Sequence, residues 1–482
     1  MFRGAAASRR VLVCLLPLLG AFAWRIAAQR GPRREPVPDW PQFGWNAASS
    51  GAFPAATGVT AANAASLAVR QVQLDGTVDA SAIYLRGVTV NGSSVDALFV
   101  TTSYGKTIAL DAASGAVLWE YTPPGYSGWV GTAQITNSTP AADPDGQHIY
   151  AAAPDGIIRK LAIADGSVVW ATAITLLPTR EKIASPLKVF GSRVIAVTGG
   201  YIGDAPPYQG HVAVLDAQTG ALRHVWNSLC SDRAGLIQPA SCASTRSAIW
   251  GRAGAVIDPA TGNIFVATGN GPYNGATDWG DSVIELDPDA TQVLANYAPA
   301  DNSTLEATDL DLGSTSPVLL GPDLVAQGGK DALIRLLARG AIAGASPHLG
   351  GELQTMSTPS RGLLFTAPAV WRDRGETWMF AADNGATAAW TLANGKLVPV
   401  WSHANAGTSP VIAGGLLYVY DPNGGLRIYD PRSGTVITTL ACGGGHWNSP
   451  IVVDGRIVLP EGSANQHATS GVLDIWSLPA PK

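Results

Sequence analysis

Among the residues able to do chemistry, the cysteines are the simplest to read. The 482-residue chain has four, Cys14, Cys230, Cys242 and Cys442. Cys230 and Cys242 bracket the run SDRAGLIQPAS. In an oxidising compartment they are expected to pair, which for so short a loop adds about 2–4 kcal/mol at most. Cys442 is left odd beside Gly443, Gly444 and Gly445. The sequence holds no C-x-x-C-H, so it encodes no covalently attached haem, and it holds no nucleophile elbow, phosphate loop or zinc-ligand spacing. Polar candidates gather further along: Asn270 after Thr268-Gly269, Asp278 and Asp281 in ATDWGDS, Asp309 and Asp311, Lys330 next to Asp331, and His446 in His446-Trp447-Asn448. Taken alone, Asn270 reads as a turn asparagine, and Asp278 and Asp281 as loop caps. Asp309 and Asp311 read as a cation site or as solvated surface, and His446 as a ligand or a hydrogen-bonded core histidine.

A repeat must position these groups. Residues 107–119 (TIALDAASGAVLW) read as an alternating strand, a tight turn on Ser114-Gly115, and a second strand closing on Trp119. The turn needs a positive φ, hence Gly115, and Asp111 can bond its own backbone two residues on to fix it. The same phrase returns at 159–170, 211–226 and 389–401, without its Trp at 427–440, and in degraded form at 284–294 and 334–343. The turns then fall at Gly115, Gly166, Gly220, Thr291, Gly340, Gly395 and Gly434. A period of about fifty residues built of strand and turn is the signature of a propeller.

Eight segments begin with a small residue, often followed by Pro: Ser81, Thr139, Ser185, Ala253, Ser316, Ala367, Ser409 and Ser449. They predict an all-β, eight-bladed β-propeller of four-stranded antiparallel blades. Residues 67–72 form a lone strand with no earlier partner, while residues 473–478 are the third strand of the last repeat. The N-terminal strand is therefore expected to complete the last blade and leave no exposed edge. The long interval from Gly220 to Thr291 holds two insertions, the cysteine loop and residues 270–281, and propeller insertions build binding sites.

Composition supports a packed core. Hydrophobic residues make up 46% and charged residues only 14%, which excludes a disordered chain. A net charge of −5 with no basic stripe argues against nucleic acid. Arg3, Arg9 and Arg10 precede an apolar run at 11–24 that is too short to span a bilayer. Residues 1–28 are thus expected to be a signal peptide, either an ordinary secretory signal or one of twin-arginine type. Residues 29–62 follow as a leader and N-terminal extension, and residues 63–482 as a single propeller, exported to the periplasm or secreted and with no membrane span.

The A-x-D-x-x-x-G-x-x-x-W grammar resembles the pyrroloquinoline-quinone (PQQ) repeat family, over nearly the whole chain after the signal. Around residues 240–317 the likeness is to polyvinyl-alcohol-dehydrogenase-like exported propellers. The resemblance implies eight blades whose tryptophans dock onto the next blade. It also implies a site in which PQQ and calcium oxidise a small alcohol and pass electrons to an external cytochrome. Ile249-Trp250-Gly251 resembles the Trp-Gly beneath the quinone, which gives Trp250 as cofactor-binding. Residues 268–274 (TGNGPYN) are similar to the segment whose first Asn ligates calcium, giving Asn270. Asp278 lies where the catalytic aspartate is expected, with Asp281 as rival, and Gly329-Lys330-Asp331 resembles the segment whose lysine touches the quinone. The metal-binding Glu expected before residue 211 is missing, and GGYIGDAPPYQG offers only Asp204 as a metal ligand. The vicinal cysteine pair is missing too. The same family holds propellers that bind no quinone, such as outer-membrane assembly lipoproteins, so the alternative is a non-catalytic scaffold that binds a protein partner on one face.

Overall fold

The computed structural model describes Met1 and residues 38–479. The expected signal peptide at 1–28 lies outside them save for Met1. Val37–Lys482 forms one compact unit. Eight four-stranded antiparallel sheets follow one another along the chain, each running from an inner to an outer strand. Blade 1 spans Ile83–Val90 to Val117–Tyr121, blade 4 Val256–Ile257 to Val293–Tyr297, blade 5 Val318–Leu319 to Gln354–Ser357, and blade 7 Val411–Ala413 to Val436–Leu440. Blade 8 has three strands of its own, ending in Gly471–Ser477. Ala68–Leu74 zips onto that last strand over seven paired residues, from Ala68 opposite Ser477 to Leu74 opposite Gly471. The ring closes as the sequence predicts.

The repeated Gly and Trp work as a pair across the blade seams. Trp119 donates its indole N–H to the Ile163 carbonyl of the next blade at 2.8 Å. Trp170 does the same to Ala217, and Trp401 to Pro431. Each ring lies flat on the following turn glycine, so Gly220, at φ +73°, has no room for a side chain. A Cβ there would meet Trp170 Cδ2 at 2.5 Å. Gly220→Ala is expected to cost about 1–3 kcal/mol through this clash and the left-handed backbone, read as a lower denaturant midpoint.

Two segments depart from the repeat. At the fourth turn the left-handed position is Ala290 (φ 57°), one residue before Thr291. Gly340 is not a hairpin turn: it lies in the short 3₁₀ segment Arg339–Ala341, and the outer strand of blade 5 resumes only at Gln354–Ser357. The intervening chain runs back along the outer strand of blade 4, bridging Ala295 to Ala343 and Ala298 to Leu349.

The N-terminal extension is also more than a leader. Trp40 bridges Tyr84 of blade 1. The Pro41 carbonyl takes the Ala142 amide of blade 2, and the Gln42 side chain takes the Val189 amide of blade 3. The carbonyls of Ala47, Ser50, Gly51 and Thr57 accept from Ile257, Val370, Ile412 and Gly455 in blades 4, 6, 7 and 8. Ala52–Phe53 adds a parallel strand to blade 7. A short segment can reach the innermost elements of seven blades in ring order only from the hub. There its acceptors satisfy edge amides that would otherwise be buried unpaired.

Candidate functional site

In an antiparallel blade, the link between the second and third strands and the link to the next blade emerge on the same face. On that face blades 3 to 5 carry the long insertions: 201–210, 228–255, 268–282 and 298–317. Cys230 and Cys242 are joined as a disulfide within the second of these.

Trp250, from the link entering blade 4, is half-buried and stands in a ladder of rings. Trp447 stacks on it at 5.8 Å and 26°, Phe365 lies at 5.9 Å, and His446 stacks on Trp447 at 4.7 Å. Asp79 fixes the far end of this ladder. Fully buried, it accepts from the His446 ring (2.7 Å), the Trp447 amide (2.8 Å), the Ala464 amide (3.0 Å) and Asn137 Nδ2 (2.9 Å). Burial opposes its charge, but these donors, the His446 ring foremost, outweigh it and hold the carboxyl below its usual range. His446 is thus hydrogen-bonded to a buried carboxylate, and Arg252 beneath it donates to the Trp447 and Asn137 carbonyls.

Lys330, in the second-to-third-strand link of blade 5, places its ammonium 5.4 Å over the Trp250 ring. The same nitrogen lies 2.5 Å from Asp311 Oδ2 and 3.3 Å from Asp309 Oδ1. Burial works against the charge on Lys330, but Asp311 and Asp309 more than offset it. Burial also pushes Asp311 upward, and the Lys330 ammonium restrains that rise. Asn270 completes the cluster. Its amide N–H donates to Asp311 Oδ1 and its Nδ2 to Asp309 Oδ1, both at 2.8 Å, while its Oδ1 is buried without a partner.

The two aspartates are set by local structure. Leu305 anchors the short helix Asn302–Thr308 in the core, and Asp309 closes that helix in the left-handed conformation at φ 57°. Leu312 is buried in the same cluster, and its amide donates to Asp281 Oδ1 at 3.0 Å. Asp281 therefore holds the backbone that presents Asp311. Burial pushes its own pKa up to about 8, and its Oδ2 is buried unpaired. The folded chain thus keeps a proton that the unfolded chain releases above the ordinary carboxylate range. Its stability is expected to fall as pH rises from about 4 towards 8, and Asp281→Asn to flatten that slope in urea titrations.

Of the residues singled out in the sequence, Trp250, Asn270 and Lys330 meet on one side of the disc. Asp278 does not join them. It is tied into its own loop, with its carboxylate accepting from Asn274 Nδ2 and Thr277 Oγ1 and its amide donating to Asn274 Oδ1. Asp204 is exposed at a loop tip with positive φ, where it accepts from the Tyr208 hydroxyl at 2.9 Å. Its loop does come alongside Asn270, since Pro206, Arg246, Asn270, Gly271, Pro272 and Glu306 line a cavity of about 280 Å³. The carboxylates actually grouped with Trp250, Asn270 and Lys330 are Asp309 and Asp311. A larger cavity of about 1020 Å³, among residues 46–56, 253–261 and 367–373, carries none of these groups.

Residues 52–235 match a family model described as outer membrane protein assembly factor BamB. The chain is 23% identical over 452 residues to a polyvinylalcohol dehydrogenase of Sphingopyxis sp. (strain 113P3), covering 79% of this chain and 67% of that protein. Its structure superposes on a quinohemoprotein alcohol dehydrogenase from Comamonas testosteroni with a TM-score of 0.69 at 16% identity, covering 92% of this chain and 81% of the other. The fold is the eight-bladed β-propeller of that enzyme. A europium-containing methanol dehydrogenase shares it too, with a TM-score of 0.65 at 15% identity, covering 91% of this chain and 98% of that one. Among the described residues, no helix is long and apolar enough to cross a membrane.

Proposed function

We propose that the chain is a quinoprotein-type oxidoreductase that takes PQQ and an oxygen-seeking cation such as calcium at the Trp250 cluster and oxidises an alcohol. The observation that carries this reading is the Lys330 ammonium poised over the Trp250 ring, between two carboxylates and beside an asparagine whose side-chain oxygen has no partner. A flat aromatic floor with a cation above it suits a planar anionic quinone, and hard oxygens suit calcium or a lanthanide. When bound, PQQ supplies a hydride acceptor and the cation a Lewis acid.

The remaining chemistry belongs to this chain. Trp250 provides the stacking surface, held in place by the Trp447 ring stacked on it and the Phe365 ring tilted beside it. Asn270 Oδ1 and Asp311 would be the cation ligands. Asp309 engages only Oδ1 and is open to solvent, so its free oxygen is the group placed to take the hydroxyl proton of an alcohol. Lys330 balances charge that develops above the ring. The substrate would enter past the pocket beside Asn270, and electrons would leave to a separate cytochrome. The disulfide and the basic-apolar run at 1–28 support export to the periplasm or beyond, with the propeller proper following the leader.

The rival reading is a non-catalytic propeller that presents a face to a protein partner. It is favoured by the family-model match and by Lys330 already neutralising Asp309 and Asp311, while Asp204 is engaged by the Tyr208 hydroxyl. Reconstituting purified protein with PQQ and Ca²⁺ and following dye reduction across a panel of alcohols separates the two. Alcohol-dependent reduction supports the oxidoreductase. No turnover and no retained quinone would support the scaffold.

A further inference from the structure

Away from that site, between blades 7 and 8, three ligand-type side chains converge where the ring closes. Cys442 lies just past the outer strand of blade 7, Glu461 ends the second strand of blade 8, and Asp474 sits in the third. One ligand atom from each lies within 4.8 Å of the other two. Asp474 faces Leu459 across the ladder and Gln71 on the closing strand, so Glu461, two residues beyond Leu459, shares its side of the sheet.

Two features separate this group from an ordinary acidic patch. Asp474 is fully buried, and its Oδ2 has no hydrogen-bond partner. Among the described residues, no Lys, Arg or His pairs with Glu461 or Asp474, and the nearby Asp421 spends its charge on Arg427. Tyr420, the other titratable group packed here, directs its hydroxyl to the Gly443 carbonyl. A buried carboxylate thus meets a half-buried carboxylate and a half-buried thiol with no basic side chain to neutralise them, an arrangement that is costly unless a cation or a shared proton joins them.

Each member also carries an outer hydrogen bond of the kind that orients a metal ligand. The Gly425 amide donates to Cys442 Sγ at 3.2 Å, the Gly443 amide to Glu461 Oε1, and Gln71 Nε2 to Asp474 Oδ1 at 3.0 Å. We infer that Cys442, Glu461 and Asp474 form a binding site for a borderline-soft divalent cation, of which Zn²⁺ is the type, with a fourth position open to solvent. Zinc bonds of about 2.0–2.3 Å set tetrahedral ligands roughly 3.5 Å apart, a spacing this cluster can reach with side-chain adjustment alone. Without the metal, burial and the neighbouring carboxylates push the Cys442 thiol up to about 12, and burial and Glu461 push Asp474 up. A divalent charge reverses both tendencies and releases those protons. Because Asp474 also holds Gln71 of the N-terminal strand, the metal would staple the closure of the ring to blade 7.

The test uses the full chain, stripped with chelator and dialysed against ZnCl₂, with metal content read by mass spectrometry. One equivalent retained by the wild type and by Asp311→Asn, and lost from Cys442→Ser and Asp474→Asn, is the expected result. Loss of either ligand should weaken binding by more than the roughly 10–100-fold that outer-shell changes cost. Two further readings need no variant. Zinc should slow alkylation of the Cys442 thiol, and Co²⁺ should give a thiolate-to-metal charge-transfer band. Unchanged alkylation with no such band would overturn the inference and leave a proton shared between Glu461 and Asp474. Zinc lost from Asp311→Asn but kept by Cys442→Ser would overturn it as well, by placing the ion at the Trp250 cluster.

Discussion

Asp309→Asn is expected to lower PQQ-dependent alcohol oxidation by roughly 10²–10⁴-fold, the usual contribution of a positioned general base. Quinone and cation uptake should survive. The substitution keeps an oxygen for Asn270 Nδ2 at the end of the short helix, and Asp311, the better buried of the pair, is untouched. Asp278→Asn should change the rate little, because that side chain serves its own loop with Asn274 and Thr277. Steady-state kinetics on the two reconstituted variants compare the roles directly. A collapse in Asp278→Asn with Asp309→Asn unaffected would return the base to the position suggested by sequence order.

The second large effect is on stability. Asp79→Ala removes one fully buried carboxylate that accepts from Asn137, His446, Trp447 and Ala464 at once. Deleting one side of such a buried charged network costs about 3–5 kcal/mol, because its partners are left desolvated and unpaired. The wild type should also lose stability in acid. The folded value of Asp79 is depressed, so its contribution is complete above the ordinary carboxylate range and fades as pH falls through the lower folded value. Denaturant unfolding of wild type and variant at neutral and acid pH measures both effects. Because Asp79 sets the Trp447 backbone and Trp447 stacks on Trp250, the variant should also disturb the ring ladder.

The ring was legible because its physics is local and repeated. A glycine at positive φ under the previous blade's tryptophan leaves the same mark at Gly166, Gly220 and Gly434, and the unpartnered strand near residue 68 points to the unfinished last blade. Trp250, Asn270 and Lys330 were singled out through the resemblance of their short motifs, not through any local physics, since Asn270 taken alone reads as a turn residue. The carboxylates were harder. Asp278 follows the Asn270 segment closely in sequence, yet Asn274 captures its side chain in a turn. Asp309 and Asp311 come from the next insertion, delivered by a helix too short to show periodicity and held by Asp281 through the Leu312 amide. The hub segment at 40–57 was equally hidden, because apart from Ala52–Phe53 it pairs one residue at a time with elements of seven blades, and such contacts leave no period.

The central claim is that the Trp250 cluster accepts a planar quinone with a cation beside it, and the most direct measurement is PQQ binding itself. Purified protein is titrated with PQQ at fixed Ca²⁺ while tryptophan fluorescence and bound quinone after gel filtration are recorded, alongside Trp250→Leu and Lys330→Met. The expected result is saturable, calcium-dependent quenching with about one quinone carried per wild-type chain, and loss of both signals in the two variants. Quinone that washes out of the wild type, or binds both variants as well as it binds the wild type, would contradict the account.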